Sequence, residues 1–401
     1  MGNIKLLENT VQTYAWGSRT AIADLLGKPS PSARPWAELW MGAHPSAPSK
    51  VQEKEGGVTL IDFIARHPEQ TLGPDAARMF GNQLPFLFKV LAAETPLSIQ
   101  AHPDKVQAEQ GFERENQAGI PLNTPHRNYR DANHKPECLC ALAPFTALCG
   151  FRPVSDILEL FFLLLPENEI VRLTPDLANR SAPEGLRLFF TQLLELPADR
   201  KAAVLGCAVN HAENLLDRDP AFQWIVRLNR IYPGDIGVLA PALLNLVTLE
   251  PGQALFLPAK TLHAYLHGTG LEVMASSDNV LRGGLTAKHV DSAELVRILS
   301  FEPMTPQGVI PVAVSDCEVL YPVPSREFGL SVIDAGKGPC LAESHGSAEI
   351  ILCVGGTAVV TEERTGDVIT LQSGASAFVP ACTGRYKITG DSRIFRAFIP
   401  A

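Results

Sequence analysis

The sequence lacks long apolar runs. Its longest uninterrupted apolar stretches, such as Leu160 to Leu165, are only a few residues long, whereas a helix that spans a bilayer needs about 20 apolar residues. The first residues, Met1 to Thr10, include the charged Lys5 and Glu8 and hold no apolar core of the kind found in a signal peptide. We therefore expect a cytoplasmic protein with no membrane partner.

A surplus of positive charge is also missing. The chain holds 34 Lys and Arg residues against 43 Asp and Glu residues, so its formal net charge is −9. Nucleic-acid-binding proteins usually show a basic surplus or a basic patch, and we therefore expect no nucleic-acid partner. An anionic ligand would have to be bound by a local basic cluster, because the overall field of the chain repels it.

Cysteine pairs at metal-binding spacing are scarce as well. Of the eight cysteines, Cys138 and Cys140 lie close together, but no second pair follows at a zinc-ribbon distance. Cysteines with apolar neighbours in a cytosolic protein are usually reduced and buried. We expect that state here.

Apolar residues are plentiful enough for sizeable cores, at 46% of the chain, and the length suggests roughly two or three domains. Short apolar runs bounded by turn residues, such as Leu84 to Leu91 and Leu97 to His102, predict strands in residues 1–153. Residues 154–232 instead repeat apolar residues at helical spacing, as in Leu186 to Leu196. Strand patterns return from Ile236 onward.

An internal repeat predicts that one β architecture occurs twice. Leu249, Gly252, Phe256, Pro258 and Ala259 are matched by identical residues at positions 371, 374, 378, 380 and 381. A turn glycine, alternating apolar residues and a proline are typical of a strand that enters the rim of a jelly roll, as in cupins. We predict a mainly β fold with two cupin-like jelly-roll β-barrels and an inserted helical domain.

The predicted domains follow from these segments. We predict that residues 1–153 and 233–312 form the first cupin domain, which the segments below mark as the candidate catalytic domain with a metal site, that residues 154–232 form the helical insert, and that residues 313–401 form a degenerate C-terminal cupin domain. His263 follows Ala259 by four residues, whereas Arg385 stands at that place in the second copy. We therefore expect that the second copy does not bind a metal in the same way.

One predicted strand carries two candidate metal ligands. Gln100 and His102 lie two positions apart, so their side chains face the same way. Imidazole is a common zinc ligand and an amide oxygen is an unusual one. On these residues alone, His102 could equally be a hydrogen-bonded core residue.

The segment Tyr129 to Glu137 concentrates charged and polar side chains. Glu137 leads directly into the apolar run Cys138 to Leu142, where a buried carboxylate without a partner is costly. A metal ion would compensate that carboxylate. The alternative interpretation is a solvated loop.

A third polar segment begins at His263. His263 and His267 are spaced as on a zinc-binding helix, but Gly268 and Gly270 favour strand and loop. Arg282 precedes two glycines, which leave the backbone room to approach a ligand closely. A surface salt bridge is the alternative role for Arg282.

Together these segments resemble the type I mannose-6-phosphate isomerases (phosphomannose isomerases). Tyr129 to Glu137 is similar to the family's first signature without a mismatch, and His263 to Arg282 is similar to its second signature. The resemblance covers nearly the whole chain and is weakest after about residue 300. Gly283 and Ala287 stand where the family usually has Ala and Pro.

The resemblance implies an aldose–ketose isomerase that interconverts mannose 6-phosphate and fructose 6-phosphate and so feeds mannose metabolism and GDP-mannose synthesis. It implies one Zn²⁺ per chain, held by Gln100, His102, Glu137 and His263. Arg282 matches the residue marked as catalytic in the family. Further positions are expected to line the sugar-phosphate site, namely Lys89, Ser98, Lys135, Glu272, Asp278 and Lys288.

The proton transfer through an enediol needs a base, which the sequence leaves open between Glu272 and Lys135. His134 is the candidate for opening the sugar ring, and Lys89, Lys288 and Ser98 are the candidates for binding phosphate. A cupin oxygenase, another metal-dependent sugar-phosphate isomerase and a sugar-binding sensor are the alternative functions. An oxygen-dependent rate would favour the first, and binding without turnover would favour the last. We expect a monomer with a sugar phosphate as its only partner.

Overall fold

The computed structural model describes residues 4–53, 56–344 and 346–400, which are mostly β-sheet with helices between the strands. The strands, β1 to β22 in chain order, are Lys5–Glu8, Thr10–Gln12, Glu38–Gly42, Lys50–Glu53, Gly56–Thr59, Phe86–Ala93, Ile99–Ala101, Glu137–Ala141, Phe145–Phe151, Leu244–Leu249, Ala254–Leu257, His263–Ala275, Leu281–Gly284, Val312–Ala313, Glu318–Tyr321, Gly329–Asp334, Cys340–Glu343, Glu349–Glu362, Val368–Gln372, Ser376–Val379, Arg385–Thr389 and Ser392–Phe398. The α-helices, α1 to α13, are Ala21–Leu25, Leu60–Arg66, Pro68–Leu72, Pro74–Met79, Lys105–Gln117, Val154–Leu164, Glu167–Leu173, Pro175–Asn179, Ala182–Leu194, Ala198–Glu213, Pro220–Ile231, Ala240–Leu243 and Ser292–Ile298. Short 3-10 helices are formed by Ile236–Leu239, Ala335–Lys337 and Ala381–Thr383.

The strands form two large antiparallel sheets. The ten-stranded sheet follows the order β10-β9-β12-β6-β3-β2, with β7, β8, β11 and β13 paired beside this path. The twelve-stranded sheet follows the order β14-β15-β16-β22-β18-β20-β1-β4-β5, with β17, β19 and β21 beside it. The N-terminal strands β1, β4 and β5 therefore extend the sheet that the C-terminal strands build. The predicted mainly β class is confirmed.

The internal repeat of the sequence corresponds to equivalent strands. β11 and β20 occupy the same positions within the two repeated segments. Glu137 of β8 pairs with Leu257 at the end of β11, and Glu349 of β18 pairs with Val379 at the end of β20. Because Leu257 and Val379 are equivalent in the repeat, Glu349 takes in the second copy the position that Glu137 takes in the first.

The carboxylate of the second copy has side-chain partners of its own. Arg396 Nη1 lies 3.3 Å from Glu349 Oε1, and Arg396 Nη2 lies 2.7 Å from Glu318 Oε1. Tyr386 Oη donates a hydrogen bond to Glu349 Oε2 at 2.6 Å. All four side chains are buried. A guanidinium group thus supplies the positive charge beside this buried carboxylate.

Six helices, α6 to α11, occupy residues 154–231, where the sequence predicts helical spacing, and α12 follows them just before β10. Their apolar residues, among them Phe161, Phe189 and Phe222, share one core with Ile99 and Leu148 of the ten-stranded sheet. The helices therefore support strands β7 and β9 from one side. Among the described helices, none is both long and apolar enough to cross a membrane.

Cys317 and Cys340 form a disulfide with a Cα–Cα distance of 5.9 Å. The expectation that all the cysteines are reduced is therefore wrong for this pair. Cys340 lies in β17, and Cys317 directly precedes β15, 23 positions earlier in the chain. This spacing in the sequence does not indicate that the two cysteines meet in the fold. Cys138 and Cys140 are free and buried as expected, and burial raises the pKa of Cys140 to about 11.

Candidate metal centre and active site

A cavity of about 590 Å³ opens on the ten-stranded sheet. Its walls include nine of the predicted site residues, namely Lys89, Ser98, Gln100, Lys135, Glu137, Glu272, Asp278, Arg282 and Lys288. These residues come from distant parts of the chain, and the pairing of β6, β7, β8, β12 and β13 brings them together. The predicted residues therefore converge on one concave site, with His134 as the exception described below.

Three predicted ligands form a compact buried cluster at this cavity. Ligand atoms of His102, Glu137 and His263 all lie within 4.8 Å of one another. His102 Nε2 is 3.3 Å from Glu137 Oε1, and His263 Nε2 is 3.4 Å from Glu137 Oε2. Glu137 lines the cavity. Both imidazoles contact its carboxylate, so the cluster lies directly beside the cavity.

The protonation of the cluster fits a divalent cation. His102 Nδ1 lies 2.7 Å from the Asn279 carbonyl oxygen, and His263 Nδ1 lies 2.9 Å from the Thr261 carbonyl oxygen. Because a carbonyl oxygen only accepts, each Nδ1 is the protonated nitrogen. Neither Nε2 atom has a hydrogen-bond partner, and Glu137 Oε2 has none either. Three buried lone-pair atoms that face one another without a donor suit a metal ion between them.

The charges around Glu137 agree with this interpretation. Burial lowers the pKa of His102 to about 4, so its ring is neutral at pH 7 and free to bind a metal. Burial opposes ionisation of Glu137, but the charge of Lys135 holds the pKa of Glu137 well below its ordinary value. Lys135 Nζ lies 3.1 Å from Glu137 Oε1. Lys135 therefore reaches the metal cluster from the cavity side.

Gln100 lies beside the cluster. It stands directly opposite His263 where β7 pairs with β12, and opposite Arg282 where β7 pairs with β13. It also lines the cavity. The predicted fourth ligand is therefore placed between the metal cluster and Arg282.

A second charged group surrounds Lys89. Lys89 Nζ lies 2.8 Å from Glu272 Oε2 and 3.6 Å from Glu38 Oε1. Trp40 Nε1 donates to Glu38 Oε2 at 2.8 Å, and Tyr265 Oη donates to Glu272 Oε1 at 2.8 Å. Burial alone would lower the pKa of Lys89, but Glu272 and Glu38 raise it above its ordinary value. Lys89 stays charged and is compensated by two carboxylates, so its position gives its predicted role in phosphate binding little support.

Glu38, Trp40 and Tyr265 are site residues that were not singled out from the sequence. Glu38 and Trp40 alternate with the apolar residues Leu39 and Met41 of β3, which puts their side chains on one face of the strand. Trp40 stands opposite Lys89 where β3 pairs with β6. Tyr265 belongs to the segment that begins at His263, but no local pattern predicts its contact with Glu272.

A bend in β12 brings Tyr265 and Glu272 together. Seven extended residues would separate them by roughly 23 Å, yet their side chains share a hydrogen bond of 2.8 Å. The strand turns at Gly268, where φ is 127° and an added Cβ would lie 2.6 Å from the Pro144 carbonyl oxygen. Before this point β12 pairs with β9, and after it β12 pairs with β6 and β8. The glycines of this segment thus shape the site.

Two basic side chains, Arg282 and Lys288, also line the cavity. Burial and the nearby Arg130 guanidinium lower the pKa of Arg282. Burial, Arg282 and Arg130 lower the pKa of Lys288 in the same way. Mutual repulsion of three cations is relieved when an anion binds among them. Ser98, which also lines the cavity, adds a hydroxyl group to its polar wall.

Asn279 holds the two signature segments against each other. Its Oδ1 accepts hydrogen bonds from the backbone N–H groups of Arg130 and Asp131 at 2.7 and 3.2 Å. Its Nδ2 donates to the carbonyl oxygens of Asp131 and Asn133 at 2.8 and 2.9 Å. The Asp278 backbone N–H donates to Asp131 Oδ2 at 2.8 Å. The same Asn279 supplies the carbonyl oxygen that orients His102.

His134 faces away from this cavity. Its Nε2 lies 2.7 Å from Glu327 Oε1, and both residues line a separate cavity of about 460 Å³. The adjacent side chain of Lys135 takes the opposite direction. The predicted ring-opening role of His134 therefore finds no support in its position.

Comparison with known proteins gives the same picture over the whole chain. Residues 4–154 match the family model for the catalytic domain of type I phosphomannose isomerase, and residues 320–399 match the model for the cupin domain of mannose-6-phosphate isomerase. The mannose-6-phosphate isomerase of Salmonella typhimurium is 42% identical over 397 residues, covering 98% of both chains. The human enzyme of that name is 35% identical over 430 residues, covering 98% of this chain and 97% of its own.

A solved structure agrees in fold. The Salmonella typhimurium mannose 6-phosphate isomerase bound to its substrate and to zinc superimposes with a TM-score of 0.89 at 41% identity, covering 99% of this chain and all of that chain. The match of residues 320–399 to the cupin-domain model places a cupin domain in the C-terminal strands. This chain belongs to the family of type I mannose-6-phosphate isomerases.

Proposed function

We propose that this chain is a zinc-dependent enzyme that interconverts mannose 6-phosphate and fructose 6-phosphate. The observation that carries the proposal is the buried cluster of His102, Glu137 and His263 at a cavity that Arg282 and Lys288 also line. A metal ligand set and two basic side chains in one cavity suit a sugar phosphate. Mannose 6-phosphate formed here would feed mannose metabolism and GDP-mannose synthesis.

The donor set fits Zn²⁺. Gln100, His102, Glu137 and His263 would hold the ion, with one negative charge among the four ligands. When bound, the ion supplies Lewis-acid polarisation of substrate oxygens at this end of the cavity. Asn279 and Thr261 contribute the carbonyl oxygens that keep both Nε2 atoms available as ligands.

The basic side chains would bind the phosphate group. Arg282, Lys288 and Ser98 line the cavity, and an anion there relieves the repulsion between the cations. Asp278 would contact the sugar hydroxyls. Its carboxylate lies 3.4 Å from His44 Nε2, and the His44 hydrogen bond lowers the pKa of Asp278. The carboxylate therefore remains an acceptor over the whole neutral range.

Glu272 is the base that the geometry favours. In the aldose-to-ketose direction, a proton leaves C2, a proton passes from the C2 hydroxyl to the C1 oxygen, and a proton returns to C1. The Glu272 carboxylate faces the cavity and is held by Lys89 and Tyr265, so it is fixed in position for taking the C2 proton. Lys135, 3.1 Å from Glu137, is placed to stabilise developing negative charge on a substrate oxygen.

The domain organisation that we propose has two cupin-like jelly rolls with a helical domain inserted into the first. Residues 1–153 with 233–312 form the catalytic domain, except that strands β1, β4 and β5 pair with the second sheet; residues 154–232 form the insert, and residues 313–401 form the second jelly roll. The equivalence of β11 with β20 and of Glu137 with Glu349 supports the duplication. Strands β1, β4 and β5 complete the second sheet.

A coupled assay of mannose 6-phosphate conversion tests the proposed function directly. Activity is measured before dialysis against a chelator, after dialysis, and after Zn²⁺ is added back. Loss of activity followed by restoration with Zn²⁺ is expected. A folded, zinc-loaded protein with no activity on this substrate would contradict the proposal, and an oxygen-dependent or purely binding function would then be examined.

A further inference from the structure

The C-terminal half of the chain contacts the first signature segment through one acid group. Glu327 lies between β15 and β16, and its Oε1 is 2.7 Å from His134 Nε2. Ser325 Oγ donates to Glu327 Oε2 at 2.8 Å, and the Glu327 backbone N–H donates to Ser325 Oγ at 3.2 Å. The side chains of His134 and Glu327 are 30% and 18% exposed. The pair is therefore partly shielded from water, where such a contact is stronger than on an open surface.

The carboxylate of Glu327 is held in its charged form. Burial opposes ionisation, but the hydrogen bond and charge of His134, together with the hydrogen bond from Ser325, lower the pKa of Glu327 to about 2. The Glu327 carboxylate therefore remains a hydrogen-bond acceptor throughout the neutral pH range.

His134 and Lys135 are neighbours whose side chains point to opposite sides. Lys135 extends into the substrate cavity and reaches Glu137 Oε1 at 3.1 Å, whereas His134 extends toward Glu327. Fixing the His134 ring on the outer side therefore limits the movement of the main chain from which Lys135 projects. On the preceding side, the Asn133 carbonyl oxygen accepts hydrogen bonds from Ser277 and Asn279.

We infer that Glu327 is a positioning residue for the reaction, acting through His134 to place Lys135 in the cavity. The inference rests on the proposed function. It assigns the C-terminal β strands a part in the chemistry, because they supply an acid group that the catalytic half lacks at this position. Small displacements of a charged group in an active site have large effects on rate.

Steady-state kinetics of three variants test this role. Glu327→Ala is expected to lower kcat about tenfold and to change KM less than about twofold, because the phosphate end of the cavity is untouched. Glu327→Gln, which keeps an acceptor oxygen for His134, is expected to lower kcat only about threefold. Glu343→Gln is the matched control: its carboxylate lies 3.4 Å from Arg385 Nε in the same half of the chain, and its kinetics should stay at the wild-type values.

A double-variant cycle separates positioning from a general loss of structure. If Glu327 acts through Lys135, Glu327→Ala should lower kcat no further in a Lys135→Met background. Multiplicative losses, or a wild-type kcat for Glu327→Ala, would overturn the inference while leaving the proposed function intact. An inactive wild-type enzyme would overturn both. If Glu327→Ala does not fold, Ser325→Ala keeps the carboxylate and removes the two hydrogen bonds that Ser325 Oγ makes with Glu327. It should lower kcat by a smaller factor, and an unchanged kcat there would count against the inference.

Discussion

Replacement of Glu272 by Gln tests the base and the charge balance of the site in one variant. The substitution keeps the size of the side chain and removes its negative charge. Tyr265 Oη can still donate to the amide oxygen, but the amide nitrogen would then face Lys89 Nζ, which now lies 2.8 Å from Glu272 Oε2. Two donors would meet in a buried site.

The expected losses follow from that geometry. Removal of a general base lowers kcat by about 10²- to 10⁴-fold. Breaking a buried ion pair costs about 3–5 kcal/mol when the remaining charge has no partner. Lys89 keeps Glu38 at 3.6 Å, so we expect the free energy of unfolding to fall by less, about 2 kcal/mol.

Two measurements follow the two effects separately. Exchange of the substrate C2 proton with solvent deuterium, followed by NMR, reports the base, and urea unfolding reports the stability. Glu272→Gln should abolish exchange. Tyr265→Phe, which removes one hydrogen bond and keeps the carboxylate, should slow exchange without abolishing it. Exchange near the wild-type rate in Glu272→Gln would refute the assignment and leave Lys135 as the base.

Three further predictions concern other parts of the molecule. Lys288→Met should raise KM about tenfold through loss of a charge-assisted contact to phosphate. Because the pKa of Lys288 is lowered, the wild-type enzyme should lose this positive charge, and its KM should begin to rise, at a lower pH than for an ordinary lysine. A KM–pH profile without that rise would contradict this role. Glu137→Gln should lose most bound Zn²⁺ by elemental analysis, and a full complement of Zn²⁺ would exclude Glu137 as a ligand. Gly111→Ala should destabilise the fold by about 1–3 kcal/mol in urea unfolding, because the added Cβ would lie 2.4 Å from ring atoms of Tyr129; unchanged stability would mean that the ring moves freely.

Local patterns in the sequence were enough for much of the fold and for candidate metal ligands, whereas the full ligand set came from the family resemblance. The alternation of Gln100 with His102, and Glu137 at the start of an apolar run, predicted side chains that do converge on one site. The repeated segment predicted two equivalent strands, and β11 and β20 confirm it.

Local sequence patterns could not predict the contacts between distant strands. The compensation of Lys89 by Glu38 depends on the pairing of β3 with β6, which no local spacing reveals. The outward direction of His134 depends on a loop almost 200 positions later along the chain. The disulfide between Cys317 and Cys340 similarly depends on how β17 packs. In each case long-range pairing, and not residue type, decides the role of the side chain.

The buried carboxylate of the second copy has a consequence for how the two halves respond to metal supply. Glu349 lies 3.3 Å from Arg396 of the same chain, so this carboxylate gains a cationic neighbour as soon as the strands assemble, although burial still raises its pKa to about 7. Glu137 also has a cation of the same chain, Lys135, 3.1 Å away, but its Oε2 and the two neighbouring imidazole Nε2 atoms have no hydrogen-bond partner. The stability of the part of the chain that holds the metal cluster therefore depends on the supply of zinc. Zinc starvation should destabilise this part first, while the C-terminal part around Glu349 keeps its structure.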